Sequence, residues 1–234
     1  MSARGGEHDG GATPPTPWLA GAPSLTSDVA LALGSVLGQA RTYGFLGPGP
    51  VDEQLHRAMA FAAVVQQPPS RAADLGTGGG LPGLVLASVW PTSEWILIDS
   101  NHRRCHWLEE ALEQLQLGAR CTVLCERAEV VGHELHRHQL DLVTARSFGP
   151  PAPTAECAAP LLRTGGQLVV ADPPGIGPER WPAAGLSLLG MKWEESLQVG
   201  SLAGPVSLSR LSSLSRCPSI YPRRVGVPSK RPLF

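Results

Sequence analysis

The chain has no acidic residue after Glu195, no CxxC cysteine pair, and no Lys-Ser or Lys-Thr closing its glycine run. It also lacks any uninterrupted apolar run of the ~18 residues that a membrane-spanning helix requires. That last absence argues against a membrane span. The N-terminus, MSARGGEHDGGATPPTPW, lacks the charged-then-apolar order of a secretory leader. Cys105, Cys121, Cys125, Cys157 and Cys217 are odd in number and show no metal-ligand spacing. They predict buried, reduced thiols in a cytoplasmic protein and no zinc site. His102, His106, His133, His136 and His138 read as surface residues, so no metal is expected. A phosphate-cradling P-loop is excluded, because Gly83 is followed by Leu84.

The missing acids leave a marked asymmetry. Arg210, Arg216, Arg223, Arg224, Lys230 and Arg231 give the segment after Glu195 a charge of +6, although the whole chain carries −1. An acidic body with a basic tail suits a polyanionic partner reached through the C-terminus, or a tail that is only solvated. As an arm, the tail is expected to bind RNA without touching the small-molecule site.

The 234 residues fit one domain with appended segments. Residues 1–26 are Gly/Pro/Thr/Ala-rich without periodicity and read as disordered. Residues 27–214 read as the folded domain, and 215–234 as a basic tail too proline-rich for regular structure. Two helices come first: SDVALALGSVLGQARTYGF, capped by Ser27 or Asp28, and VDEQLHRAMAFAAVVQQ, stopped at Pro68. A regular alternation follows. RAADL, EWILID, RCTVLC, LDLVTA and GGQLVVAD read as strands. LPGLVLASVW, HRRCHWLEEALEQLQL, a short stretch near 128–136 and TAECAAPLL read as the intervening helices. Such alternation predicts a parallel, doubly wound α/β sheet. SLLGMKWEESLQV and PVSLSRLSSL add an antiparallel hairpin, which brings the strands to seven.

In RAADLGTGGGLPGLVLA a strand runs into a glycine cluster and then a helix, at the strand end where this topology places a ligand. Gly78, Gly80 and Gly83 fit the dinucleotide pattern G-x-G-x-x-G, so NAD is one reading and a purely structural turn another. Asp74, two residues before the first glycine, favours a third. A carboxylate there would repel a pyrophosphate but attract the ammonium and sulfonium of S-adenosylmethionine. At ~4 Å that attraction amounts to ~1 to 4 kcal/mol. Asp99, ending the second strand, can accept both hydroxyls of a ribose.

DLGTGGGLPGLVLA, LIDSNHRRCHWLEEALEQLQL, ERAEV, LDLVTARSF and the ending YPRRVGVPSKRPL together resemble successive blocks of the RsmG/GidB family. Those proteins are bacterial S-adenosylmethionine-dependent methyltransferases that modify guanine N7 in 16S ribosomal RNA. The resemblance implies a class I, Rossmann-like methyltransferase fold with helices on both faces of a mostly parallel seven-stranded sheet and an N-terminal helical extension. It implies a cytoplasmic monomer acting on 16S RNA or the small ribosomal subunit. It also implies cofactor contacts at Gly76, Leu81, Ala128, Glu129 and Arg146, beside Asp74, Gly78 and Asp99 from the residues themselves. Arg103 and Arg104 match a basic pair of the family, with two readings open: contact with RNA phosphates, or solvated cations at a helix start. No catalytic residue is singled out. Two departures bear on the acceptor: Asp172 stands where the family carries lysine, and Met59 falls within a segment that has lost an acid. Asp172 is a candidate to stabilise a cationic methylated base. A relative retargeted to another RNA or a small molecule, and a catalytically silent RNA-binding relative, stay open at this point.

Overall fold

The computed structural model describes residues 24–133, 136–173, 177–201 and 204–234. The expectation for residues 1–26 therefore lies outside the described residues as far as residue 23. Two helices precede the sheet, α1 (Ser27–Thr42) and α2 (Val51–Val64). The α1 cap is Thr26, one residue earlier than expected, and its hydroxyl accepts the Val29 N–H at 3.4 Å.

The alternation then runs β1 (Arg71–Leu75), α3 (Gly83–Val89), β2 (Glu94–Asp99), α4 (His102–Gln114), β3 (Cys121–Cys125) and α5 (Ala128–Val131). It continues with β4 (Leu140–Ala145), α6 (Pro151–Ala158), β5 (Leu162–Asp172), α7 (Ala183–Leu188), β6 (Met191–Val199), β7 (Val206–Ser213) and α8 (Val227–Lys230). The seven strands lie in the order β3-β2-β1-β4-β5-β7-β6, with β7 antiparallel to both its neighbours. Consecutive crossovers run outward from β1 in opposite directions, so the crevice between the ends of β1 and β4 is the topological switch point.

Strand alternation divides the core in two. Ala72, Trp95, Leu97, Leu142 and Val169 face the layer that includes α1 to α4. Ala73, Ile96, Ile98, Val143, Leu168 and Val170 face the other layer, with Ala155, Leu186 and Tyr221. At the centres of β4 and β5 both faces are covered, which is why Leu142–Val143 and Leu168–Val170 read as short apolar runs.

Four local expectations need correction. SLLG does not open a strand: its leucines finish α7, and Gly190 at φ 69° turns the chain into β6. The sixth helix starts at Pro151, not Thr154, because proline suits the first helical turn, where no N–H partner is required. Cys105 and Cys125 are not isolated from one another. The second turn of α4 passes over the end of β3 with their Cα atoms 5.7 Å apart, and the two are joined in a disulfide. Cys121, Cys157 and Cys217 are free and buried. Finally, the proline-rich tail contains regular structure, the single helical turn α8, and it packs against α6. Among the described residues no helix is long and apolar enough to cross a membrane.

Candidate active site

The glycine loop leaves β1 with most of its amides already engaged. The N–H of Thr77 bonds to the Ile98 carbonyl, those of Gly80 and Leu81 to the Thr77 carbonyl, and that of Leu84 to Gly80. Gly78 donates to Asp99 Oδ2 at 3.0 Å and Gly83 to Asp74 Oδ2 at 3.0 Å. A phosphate-binding loop works by presenting free N–H groups to the anion. Six amides turned inward suit a ligand without phosphate. This disfavours the dinucleotide reading on geometry.

Asp74 does not face a ligand. It is fully buried, lines neither of the cavities described below, and accepts from Thr144 Oγ1 at 2.8 Å as well as from Gly83. The reason is steric: Gly83 lies so close that a Cβ there would come within 2.9 Å of the Asp74 side chain. Asp74 therefore fastens the loop and the start of α3 to β1 and β4. Burial pushes its carboxyl up to about 6, despite bonds from threonine hydroxyls and the Gly83 N–H. A carboxyl raised in the folded state disfavours folding increasingly as pH rises through that interval. The Asp74→Asn variant cannot titrate, and its lost acceptor is a pH-independent cost. Its melting temperature is expected to gain on that of the unmodified chain between pH 4 and pH 6, by the equivalent of about 3 kcal/mol at most. Parallel melting curves across that range would overturn this account of Asp74.

Two cavities open at the switch point. The smaller, about 220 Å³, is bounded by Gly76, Ile98, Asp99, Arg104, Ala128 and Glu129, with Phe148, Pro228 and Ser229 among its other walls. Gly76, Asp99, Ala128 and Glu129 are thus brought together as expected. Gly76 is required there, since at φ 62° a Cβ would stand 2.7 Å from Phe148 Cδ2. Asp99 accepts from Gly78 and from the Asn101 N–H at 2.9 Å, and Arg104 Nη1 lies 3.5 Å from it. Arg104 hence belongs to this cavity wall, while Arg103 is exposed. Gly78 and Leu81 do not line it. Gly78 contributes through its bond to Asp99, and the Leu81 side chain enters the core beside α3.

The larger cavity, about 450 Å³, is bounded by Gln54, Arg57, Arg146, Asp172, Arg180 and Trp181, among others. The two share Ser147, Phe148 and Gly149, so Phe148 stands in a common wall. Arg146 lines the larger cavity and is absent from the smaller one. Its Nη2 donates to Gln54 Oε1 on α2, while Nη1 is buried with no partner among the described residues. Burial pulls its guanidinium below the ordinary value, an effect that Asp74 opposes. Asp172 is engaged by Arg180 Nη1 at 2.6 Å and by the Ser209 hydroxyl at 2.5 Å. That pairing removes it as a free anion for a cationic product.

Phe148, Gln54, Arg180, Pro228 and Ser229 were not found from sequence. For Gln54 a signal existed, as a polar residue on an otherwise apolar helical stripe.

A family profile described as rRNA small subunit methyltransferase G matches residues 51–171. The chain is 36% identical over 191 residues to the ribosomal RNA small subunit methyltransferase G of Symbiobacterium thermophilum, covering 78% of each protein. It is 36% identical over 166 residues to the protein of that name from Carboxydothermus hydrogenoformans, covering 69% of this chain and 70% of that one. Among solved structures, a SAM-dependent O-methyltransferase from Thermotoga maritima superposes with a TM-score of 0.51 at 15% identity, over 78% of this chain and 72% of that one. The structural likeness shows a class I methyltransferase fold. The sequence matches go further: the chain belongs to the rRNA small subunit methyltransferase G family.

Proposed function

We propose that the chain methylates guanine N7 in 16S ribosomal RNA, with S-adenosylmethionine in the smaller cavity and the acceptor base in the larger. As a member of its family the chain is an S-adenosylmethionine-dependent rRNA methyltransferase. The observation that carries the finer reading is the pair of cavities meeting at one aromatic wall, with Arg146 lining the second and its buried Nη1 without a partner among the described residues.

The residues of the smaller cavity fit the cofactor. Asp99 ends β2, where a carboxylate can take ribose hydroxyls, and Ala128 is small enough to lie against a flat ring. The inward-bonded loop matches a ligand that carries no phosphate. When bound, S-adenosylmethionine supplies a methyl group on a positively charged sulfur.

Guanine N7 has a lone pair and no proton to lose, so no residue has to act as a strong base. The protein's task is to align the acceptor and keep water out, and alignment alone can contribute ~7 to 11 kcal/mol. Arg146, steadied by Gln54, is the donor that holds the base edge or its phosphate. Phe148 stands between the two compartments. The protein works as a single chain in the cytoplasm.

Mapping N7-methylguanine in ribosomal RNA from cells with and without the protein tests the reading. A missing N7-methyl mark in 16S RNA of the deficient cells supports it. An unchanged pattern, or incorporation only into another RNA or a small acceptor, overturns it.

Arg224, Lys230 and Arg231, on either side of the cavity-lining Pro228 and Ser229 in the chain, are exposed. If all three meet phosphates, changing them together to glutamine is expected to lower the slope of log K against log salt for single-stranded RNA by about 2.1, at ~0.7 per contact. Arg223 is left out because its guanidinium is held by Glu156. An unchanged slope would remove the tail from the RNA interface.

A further inference from the structure

We propose that the C-terminal segment Arg223–Arg231 is a fixed wall of the cofactor cavity, closing the side between α5 and α6, and that Glu129 is the positioning residue that holds it there. This rests on the cofactor reading above. It also reverses the expectation that the tail leaves the small-molecule site alone.

Three observations carry it. Pro228 and Ser229 line the smaller cavity together with Ala128, Glu129 and Pro153. The segment reaches them because Glu129, 4% exposed, accepts the Gly226 N–H at 2.9 Å. Gly226 itself sits at φ 78°, where glycine is favoured. The same carboxylate oxygen takes Arg127 Nη2 at 3.2 Å. Burial alone would raise Glu129, but these partners hold its carboxyl below the ordinary value. That oxygen is turned to the tail, not to an adenine.

The docking is rigid. Upstream, Arg137 donates to the carbonyls of Gly132, Cys217, Pro218 and Tyr221 at 2.7 to 2.9 Å. Pro222 lies so close to α5 that a Cβ on Gly132 would stand 2.7 Å from it. Next along the chain, the Arg223 backbone N–H and guanidinium all bond to Glu156, which is fully buried in α6. A merely solvated tail would have no use for two buried carboxylates. Pro228 and Ser229 then lie between Gly226, held by Glu129, and the Arg231 carbonyl, which accepts from Arg223 Nη2 at 2.7 Å, and are so delivered to one place. Ser229 is exposed toward solvent and cavity, so enlarging it fills ligand space without disturbing the core.

Titration calorimetry with S-adenosylhomocysteine tests the assignment on the full chain, on Ser229→Trp, and on a chain ending at Pro222. Both variants are expected to bind at least about tenfold more weakly, a loss of ~1.4 kcal/mol. Ser229→Trp should do so with an unchanged melting temperature, which a purely structural tail would not produce. The shortened chain leaves Glu156 without its partner and can lose stability for that reason, so the tryptophan variant decides. Unaltered affinity in Ser229→Trp would overturn the wall assignment while leaving the cofactor reading intact. Absence of binding by the unmodified chain would overturn the cofactor reading and this assignment with it.

Discussion

Replacing Arg223 by methionine is expected to destabilise the protein by about 3 to 5 kcal/mol, the range for stranding one half of a buried ion pair. Glu156 is fully buried, and Arg223 supplies three of its hydrogen bonds, at 2.7 to 2.9 Å. Methionine keeps most of the length and the backbone N–H but leaves the carboxylate's charge without a counter-ion. In a domain of this size each kcal/mol moves Tm by about 2 to 4 °C, so a fall of roughly 6 to 20 °C follows. The converse change, Glu156→Gln, should cost less, because Arg223 is partly exposed and can turn to water. Replacing both residues by apolar ones should recover much of the loss, since a buried pair exchanged whole for apolar groups is often near neutral. A Tm shift below about 2 °C in Arg223→Met would show that the pair is not buried in solution as it is in the structure.

Replacing Arg146 by lysine is expected to lower turnover at least about tenfold while changing the affinity for S-adenosylhomocysteine little. Hydrogen bonds to charged groups are each worth roughly 1.5 to 3 kcal/mol, and lysine keeps the charge but not the fork. Arg146 needs that fork: one nitrogen is tied to Gln54 on α2, and the other is buried and unpaired beside the larger cavity. A single ammonium can serve one of these positions. Turnover, donor affinity and Tm measured together separate the possible roles. A fall in affinity at near-normal saturating turnover would move Arg146 to the cofactor side. A fall in Tm with normal activity in the cold would reduce it to a structural role.

The sheet and half of the smaller cavity's lining were legible in the sequence because they depend on periodicity and on strand ends. Short apolar strands spaced by helices fix which ends converge, and Gly76, Asp99, Ala128 and Glu129 all stand at such ends. The direction of a side chain at a strand end is a different matter. Asp74 and Leu81 sit within the right loop, yet one fastens it from beneath and the other fills the core. Nothing in their spacing distinguishes a residue under the ligand from one beside it. The tail was misread because its proline content and charge describe a solvated arm equally well. One signal was present: Glu156 is the lone charge in PAPTAECAA, a helix apolar enough to be buried, and a buried acid requires a cation from elsewhere. The Cys105–Cys125 pairing gave no signal, since two cysteines twenty positions apart meet only through the packing of α4 on β3.

The strand order has a consequence for how the chain is made. β7 is the last strand to be synthesised, yet it lies between β5 and β6. A nascent chain that has reached Val199 therefore holds β6 with no neighbour to pair with. Over Gln167–Asp172 the outer edge of β5 is then open, because its partner Ser207–Ser212 does not yet exist. Unpaired edges are templates for strands of other molecules. Residues 206–213 thus act as a keystone dropped into a gap, and synthesis halted before them leaves a chain with adhesive edges instead of a smaller folded protein.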